Sequence, residues 1–484
     1  MIDTQAIRNK ILDLAMRGQL TEQLPEDGTA AELYQQIQAE KQRLFKEGKI
    51  KKDNPLPEIS KDEISFEIPN NWKWVRLGKI VQQITDGTHK TPTYQETGIP
   101  FLSVKNISGG FLDMSDIKFI STDEHNELIK RCKPEKDDIL ICRIGTLGKA
   151  IRIDTDVDFS IFVSLGLVKT GNRILSDYIV SAINSGYGSG WIQSVKAGGA
   201  MHAYKINLSD LNRFLFPLPP LDEQKRIIER ITELFSILDT IDELQTQYAD
   251  DLTALKSKLI DGAIQGKLTE QLPEDGTAEE LYQQIQAEKQ RLISEGKIKK
   301  EKPLPEISEE EIPFDIPDNW KWVRWGDLSY QIQYGYNAPA KDKGRIRMVR
   351  ITDIQGNKVI WDNVPYCDID EDCIEVYKLK PNNILFARTG GTVGKSYLVE
   401  NVDEEAVFAG YLIRTSFSGL LSAKYMKYFM DSHLYWKQLQ NGTTAFAQPN
   451  CNAKTLSKMM LPLPPLAEQK RIVQKLEEIL PLCE

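Results

Sequence analysis

Pro217-Leu-Pro-Pro-Leu-Asp-Glu-Gln-Lys-Arg-Ile-Ile228 opens the stretch whose reading decides the fold. From there Ile227, Ile231, Leu234, Leu238, Ile241, Leu244, Tyr248, Leu252, Leu255 and Leu259 recur at steps of three or four. Such spacing draws one apolar stripe along a helix for about four and a half heptads, the pattern of a coiled coil. Pro219 and Pro220 cannot sit inside a helix, so they place its start. At ~1.5 Å per residue the rod is roughly 55–60 Å long. A single stripe of that length needs a partner helix.

The partner is found in the chain itself. Leu461-Pro-Leu-Pro-Pro-Leu-Ala-Glu-Gln-Lys-Arg-Ile472 repeats the opening sentence, and Ile472, Leu476, Ile479 and Cys483 follow Ile227, Ile231, Leu234 and Leu238 at an offset of 245. At the other terminus Ile7 and Ile11 match Leu255 and Leu259. The second rod is therefore split between the chain ends, with about nine residues absent from the seam on the heptad count. Leu20–Lys52 returns as Leu268–Lys300 with only positions 31, 45 and 46 of the first copy changed. Each copy has a turn (Asp27-Gly28, Asp275-Gly276), then a capping box of Thr29 with Glu32 or Thr277 with Glu280. A helix follows until Gly48 or Gly296 stops it, with Leu33, Ile37 and Leu44 on one face of the first copy. The similarity continues through Pro55-Leu-Pro-Glu-Ile and Pro303-Leu-Pro-Glu-Ile to Asn71-Trp-Lys-Trp-Val-Arg and Asn319-Trp-Lys-Trp-Val-Arg, then fades.

This is a circularly permuted duplication. The expected fold is α+β: two mixed α/β domains separated by an antiparallel coiled coil, with pseudo-two-fold symmetry. The segments are 1–65 (helical), 66–216 (first domain), 217–313 (long helix and second helical copy), 314–461 (second domain) and 462–484 (final helix). Short β-branched runs such as Asp138-Ile-Leu-Ile-Cys-Arg and Asn383-Ile-Leu-Phe-Ala-Arg, broken by glycine turns, mark the two domains. Trp72, Trp74, Trp320 and Trp322 read as anchors of strand edges rather than base-stacking residues.

Net charge is −9, but it is unevenly spread. Asn71–Arg213 holds 18 Lys/Arg against 15 Asp/Glu, and Trp320–Lys458 holds 18 against 14, so the domains carry +3 and +4 and the rest −16. A mildly basic surface on each domain is compatible with phosphate contact. No apolar run approaches the ~20 residues of a membrane span, and the basic-then-apolar start of a signal peptide is missing. The six cysteines form no C-x-x-C pair and the four histidines are dispersed, which fits a reducing cytoplasm without a zinc site or disulfide framework.

Arg143-Ile-Gly-Thr-Leu-Gly-Lys149 and Arg388-Thr-Gly-Gly-Thr-Val-Gly-Lys395 each follow a strand. Both are close to a phosphate-binding P-loop, but the second has Thr389 where the first glycine belongs. They read equally well as tight turns or as turns presenting amides and cations to a DNA phosphate. Gly87-Thr-His-Lys-Thr-Pro-Thr-Tyr94 and Tyr334-Gly-Tyr-Asn-Ala-Pro339 are polar, proline-stiffened loops suited to base edges in a major groove. Gly198–Lys205 and Asn441–Asn450 form a second pair of such loops before the last strand. The candidate DNA-binding residues are Thr88, His89, Lys90, Tyr94, Lys105, Asn106, Arg143, Lys149, His202 and Lys205 in the first domain. In the second they are Tyr336, Asn337, Arg347, Arg350, Arg388, Lys395, Asn441, Thr443, Thr444, Gln448 and Asn450. No Asn/Asp-Pro-Pro-aromatic motif, glycine-rich S-adenosylmethionine loop or spaced-acid nuclease pattern accompanies them, so no catalytic residue is assigned.

The paired Pro-Leu-Pro-Pro-Leu-x-Glu-Gln-Lys-Arg-Ile sentences, Asp86-Gly-Thr-His-Lys-Thr-Pro92 and Gly98-Ile-Pro-Phe-Leu-Ser-Val-Lys-Asn-Ile107 resemble the specificity subunit of Type I restriction–modification systems, across essentially the whole chain. The resemblance implies two target recognition domains, each reading half of an interrupted double-stranded DNA site, with conserved helices as a ruler. It implies two methyltransferase subunits as partners, binding S-adenosylmethionine and methylating adenine N6. Restriction–translocase subunits using ATP and magnesium join through them, and this chain holds no cofactor. Its final helix ends early against the family pattern, which bears on spacer length. A coiled-coil scaffold without DNA, and a self-sufficient DNA methyltransferase or nuclease, are the rival readings.

Overall fold

In the computed structural model the described residues are 1–484 apart from 53–54, 200–201, 356–357, 403, 443–450 and 484. The chain divides into two compact units, Met1–Thr246 and Gln247–Glu484. The central helix, Leu221–Ile264, is continuous through both. Its 44 residues span ~66 Å.

In the first unit the N-terminal helix (Thr4–Met16) lies antiparallel to the central helix. Thr4 Oγ1 donates to Asp242 at 2.6 Å, and Arg8 reaches back to Asp239 at 2.8 Å and to the Phe235 ring. Ile11, Leu12, Ala15 and Met16 are buried in one cluster with Ile227, Ile231 and Leu238, while Ile7 stays exposed. In the second unit Ile472, Val473 and Leu476 of the C-terminal helix (Leu466–Ile479) pack in a cluster with Leu259, Ile260, Ala263 and Ile264. Between these two covered stretches the seam is bare. Leu244 and Tyr248 are each 63% exposed and Leu255 45%.

Each unit contains the same α/β domain, although the two sequences have diverged. The first has a four-stranded antiparallel sheet in the order Gln83–Asp86, Leu165–Lys169, Ile139–Cys142, Ala150–Arg152. A three-stranded sheet joins Lys118–Ile120, Ile99–Leu102 and Ser160–Ile161, the last pair parallel. The second domain repeats this order with Ser329–Tyr334, Leu412–Phe417, Ile384–Ala387, Ser396–Leu398, and with Tyr366–Cys367, Ile346–Val349, Ala406–Phe408. The strands Ile139–Cys142 and Ile384–Ala387 are buried on both faces, which is why they read as unbroken apolar runs. Successive side chains point to opposite faces, so Ile139 and Ile141 join one core cluster while Leu140 and Cys142 join another.

The repeated motifs close each domain at its base. Lys73–Arg76 pairs antiparallel with Leu215–Leu218, setting Trp74 opposite Pro217, and Lys321–Arg324 pairs with Met460–Leu463, setting Trp322 opposite Pro462. Glu223 and Glu468, both fully buried, accept the indole N–H of Trp72 and Trp320 at 2.8 Å. Trp72 and Trp320 are thus core anchors. Thr29 and Thr277 cap the copied helices Ala30–Lys46 and Ala278–Ser294 through the expected capping boxes.

Arg226 grips Asp27 at 2.7 and 2.5 Å, and Arg471 grips Asp275 at the same distances. These guanidinium hydrogen bonds hold both carboxyls below their ordinary 3.8. A carboxyl depressed in the folded state stabilises above its unfolded value, and that contribution disappears as pH falls through the folded value. Melting temperature is therefore expected to drop below about pH 4. Arg226→Ala with Arg471→Ala should shrink that acid slope, and an unchanged slope in a pH series of melts would contradict the assignment.

Candidate nucleic-acid interface

The candidate loops of the first domain converge on the turn Phe162–Ser164. Val163 donates its amide to Thr88 O at 3.0 Å, Arg143 N–H to Ser164 O at 2.9 Å, and Val104 N–H to Ser164 Oγ at 3.1 Å. Ile144 bridges Lys205, and Ile206 N–H donates to Arg143 O at 2.9 Å. Thr88, Lys105, Arg143 and Lys205 thus belong to segments gathered at one end of the sheet. His89, Lys90, Lys105 and Lys205 are exposed, and Lys149 is half-buried. Tyr94 is exposed, with Lys118 Nζ 4.1 Å from its ring centre and Phe101 edge-on to it. His202 is placed by its backbone in the strand His202–Lys205.

Two first-domain candidates point inward instead. Asn106 is buried, accepts from Ser103 N–H at 2.9 Å and donates to the carbonyls of Asp113 and Asp116, so it shapes its own turn. Arg143 is buried too: it pairs with Asp86 and donates Nε–H to Ile206 O at 3.0 Å. A charge already met by a buried carboxylate has no fork left for a ligand. Asp86, 3% exposed, also holds Arg131, which the sequence reading missed, and meets His89 Nε2 at 3.1 Å. Arg131 remains 55% exposed beside the 87–90 loop, donating to Gly87 O at 3.4 Å. The visible cue was Asp86 itself, directly before Gly87.

In the second domain the same turn is Ala409–Tyr411. Tyr336 bridges Ala409, Arg388 N–H donates to Tyr411 O at 3.2 Å, and Ala387 N–H to Lys395 O at 2.8 Å. Asn337, Lys395 and Asn441 are exposed; Tyr336 is half-buried, with Tyr377 edge-on at 5.2 Å. Arg347 is engaged structurally, with Glu404 at 2.6 Å and the carbonyls of Trp361 and Val364. Arg350 is held by buried Asp353 at 2.8 Å. Thr443, Thr444, Gln448 and Asn450 lie outside the described residues. Tyr411, 66% exposed at the turn, was not anticipated.

The fold and these paired loop clusters define a chain with two versions of one recognition domain. The model of the Type I restriction modification DNA specificity domain matches it twice, at residues 69–247 and 317–481, and the chain belongs to that family. It is 29% identical over 99% of its length to the Type I restriction enzyme EcoAI specificity subunit of Escherichia coli, covering 89% of that relative. To the EcoEI specificity subunit of the same species it is 28% identical, again over 99% of this chain and 89% of that one. A solved chain from work on complex assembly and conformational transition of the type I R-M system shares the fold, with a TM-score of 0.55 at 17% identity over 86% of this chain and 92% of that one. The protein is a type I specificity subunit, a non-catalytic component that recognises DNA and assembles with other subunits of its system. Neither the scaffold reading nor the self-sufficient enzyme is supported. No helix among the described residues is long and apolar enough to cross a membrane.

Proposed function

We propose that this protein works in the cytoplasm, that each domain reads one half of an interrupted double-stranded DNA site, and that two copies of one methyltransferase subunit mount on the repeated helical regions. The carrying observation is a contrast between surfaces. Exposed Gln35, Gln36, Ala39, Gln42 and Arg43 recur as exposed Gln283, Gln284, Ala287, Gln290 and Arg291, although no packing demands their identity. The loops at the domain tips differ, Thr88-His-Lys in one against Tyr336-Asn-Ala in the other. Identical surfaces suit identical partners, and unlike loops suit unlike half-sites. Those partners supply the chemistry: S-adenosylmethionine and adenine N6 methylation in the methyltransferase, ATP and magnesium in the restriction–translocase subunits that join through it. This chain contributes DNA contact and placement alone.

Thr88, His89, Lys90, Tyr94, Lys105, Lys149, His202 and Lys205 stay as proposed contacts in the first domain, and Tyr336, Asn337, Arg388, Lys395 and Asn441 in the second. Mapping methylated adenines in cells carrying the chain with its partner subunits is expected to return a motif of two defined blocks around an undefined spacer. Changing His89 and Lys90 to alanine together should relax one block and leave the other. A single uninterrupted motif, or relaxation of both blocks at once, would refute the division of labour.

A further inference from the structure

Sheet register makes Asp86 and Tyr334 equivalent. Asp86 pairs with Gly166 and Tyr334 with Ile413, while Gly166 and Ile413 face Ile141 and Phe386 on the next strand. Arg143 and Arg388 stand two residues beyond Ile141 and Phe386, directly after those strands. They are the same position with unlike surroundings. A methyl group on Gly166 would stand 3.0 Å from the Arg143 stem, so the glycine admits that arginine to the interior, where Asp86 neutralises it. Ile413 puts a side chain in that place, and Arg388 lies over the Tyr334 ring, 4.6 Å from its centre.

Arg388 has no carboxylate partner among the described residues, and its Nε is buried without a hydrogen bond. The nearby Cys451 thiol, which burial pushes up to about 11, stays neutral and offers no counter-charge. An arginine stacked on an aromatic face keeps its in-plane N–H fork for a bidentate acceptor. A partly desolvated cation without a counter-ion is unfavourable until an anion or paired acceptors reach it.

We propose that Arg388, seated over the Tyr334 ring, takes its counter-charge from DNA by gripping paired acceptors (phosphate oxygens or the O6/N7 edge of a guanine), whereas Arg143 makes no such contact. This rests on the reading of the chain as two DNA-reading domains. Tyr334 is a positioning residue: it aims the guanidinium and, unlike Asp86, does not neutralise it. The first domain's recognition end is therefore internally balanced at a point where the second domain's is left open.

The test uses the full-length chain with its methyltransferase subunits, a duplex carrying the motif selected from a randomised pool, and a scrambled duplex of equal length. Loss of preferential binding by the unaltered complex would count against the underlying reading rather than this inference. Given that preference, Arg388→Ala should weaken binding about tenfold or more, at unchanged melting temperature. Arg388→Lys should recover only part, because an ammonium lacks the fork. Tyr334→Asp should mimic Arg388→Ala by supplying the missing carboxylate internally. A phosphate contact shows as an equal loss on both duplexes with the salt slope reduced by about 0.9. A guanine contact shows as a loss confined to one base pair. If Arg388→Ala and Tyr334→Asp both bind the selected duplex as tightly as the unaltered complex, the inference is overturned.

Discussion

Arg143→Ala is expected to destabilise the first domain by about 3 kcal/mol or more, within the 3–5 kcal/mol seen on breaking buried ion pairs. The substitution leaves the Asp86 carboxylate, 3% exposed, with exposed Arg131 and His89 as its remaining partners. It also orphans the Ile206 carbonyl that accepted Nε–H. The loss should appear as a lower denaturation midpoint and as faster amide exchange in Ile139–Cys142, whose last residue precedes the arginine. Asp86→Leu added to Arg143→Met should recover part of it, because a buried pair replaced by apolar groups is often neutral. An Arg143→Ala protein that melts normally yet binds DNA weakly would restore this residue to the recognition surface.

The second large effect lies at the base of each domain. Glu223 accepts from Trp72 Nε1–H at 2.8 Å and Gln23 Nε2–H at 2.9 Å, and Glu468 accepts from Trp320 and Gln271 at the same distances. Each carboxylate thus ties the start of a helix to the repeat preceding the domain and to the residue just before the domain's first strand. Alanine there strands the buried indole donor of Trp72 or Trp320 at ~1–3 kcal/mol and opens a cavity, while Gln23 and Gln271 keep their backbone acceptors, so about 2–3 kcal/mol is expected from either change. Glu223→Ala should loosen the first unit and Glu468→Ala the second. Hydrogen exchange resolves the two, and a cost below ~0.5 kcal/mol, the scale of an ordinary surface substitution, would disprove the clasp.

What the sequence revealed followed from periodicity and repetition. The stripe from Ile227 to Leu259, the two Pro-Leu-Pro-Pro-Leu sentences and the copied Leu20–Lys52 segment are local patterns, and they yielded the helices, caps and permuted halves. That both domains share one strand order was hidden, since it depends on pairings such as Phe101 with Ser160 and Met348 with Val407, far apart in the chain. At the candidate interface, exposed polar loops were readable from turn chemistry, hence Thr88–Lys90 and Asn337. The arginines were not. Arg143, Arg347 and Arg388 look alike in sequence, and their roles were decided by what stands across a strand or turn: Asp86, Glu404 and Tyr334.

The ladders that set Trp74 opposite Pro217 and Trp322 opposite Pro462 hold the entrance and exit of each domain on adjacent strands, roughly 5 Å apart. A foreign insert with the same two ends can therefore occupy the socket without disturbing the helices beneath it. A change of the whole domain is thus separable from a change of the helices: one can be replaced in a single step while the other keeps its surface.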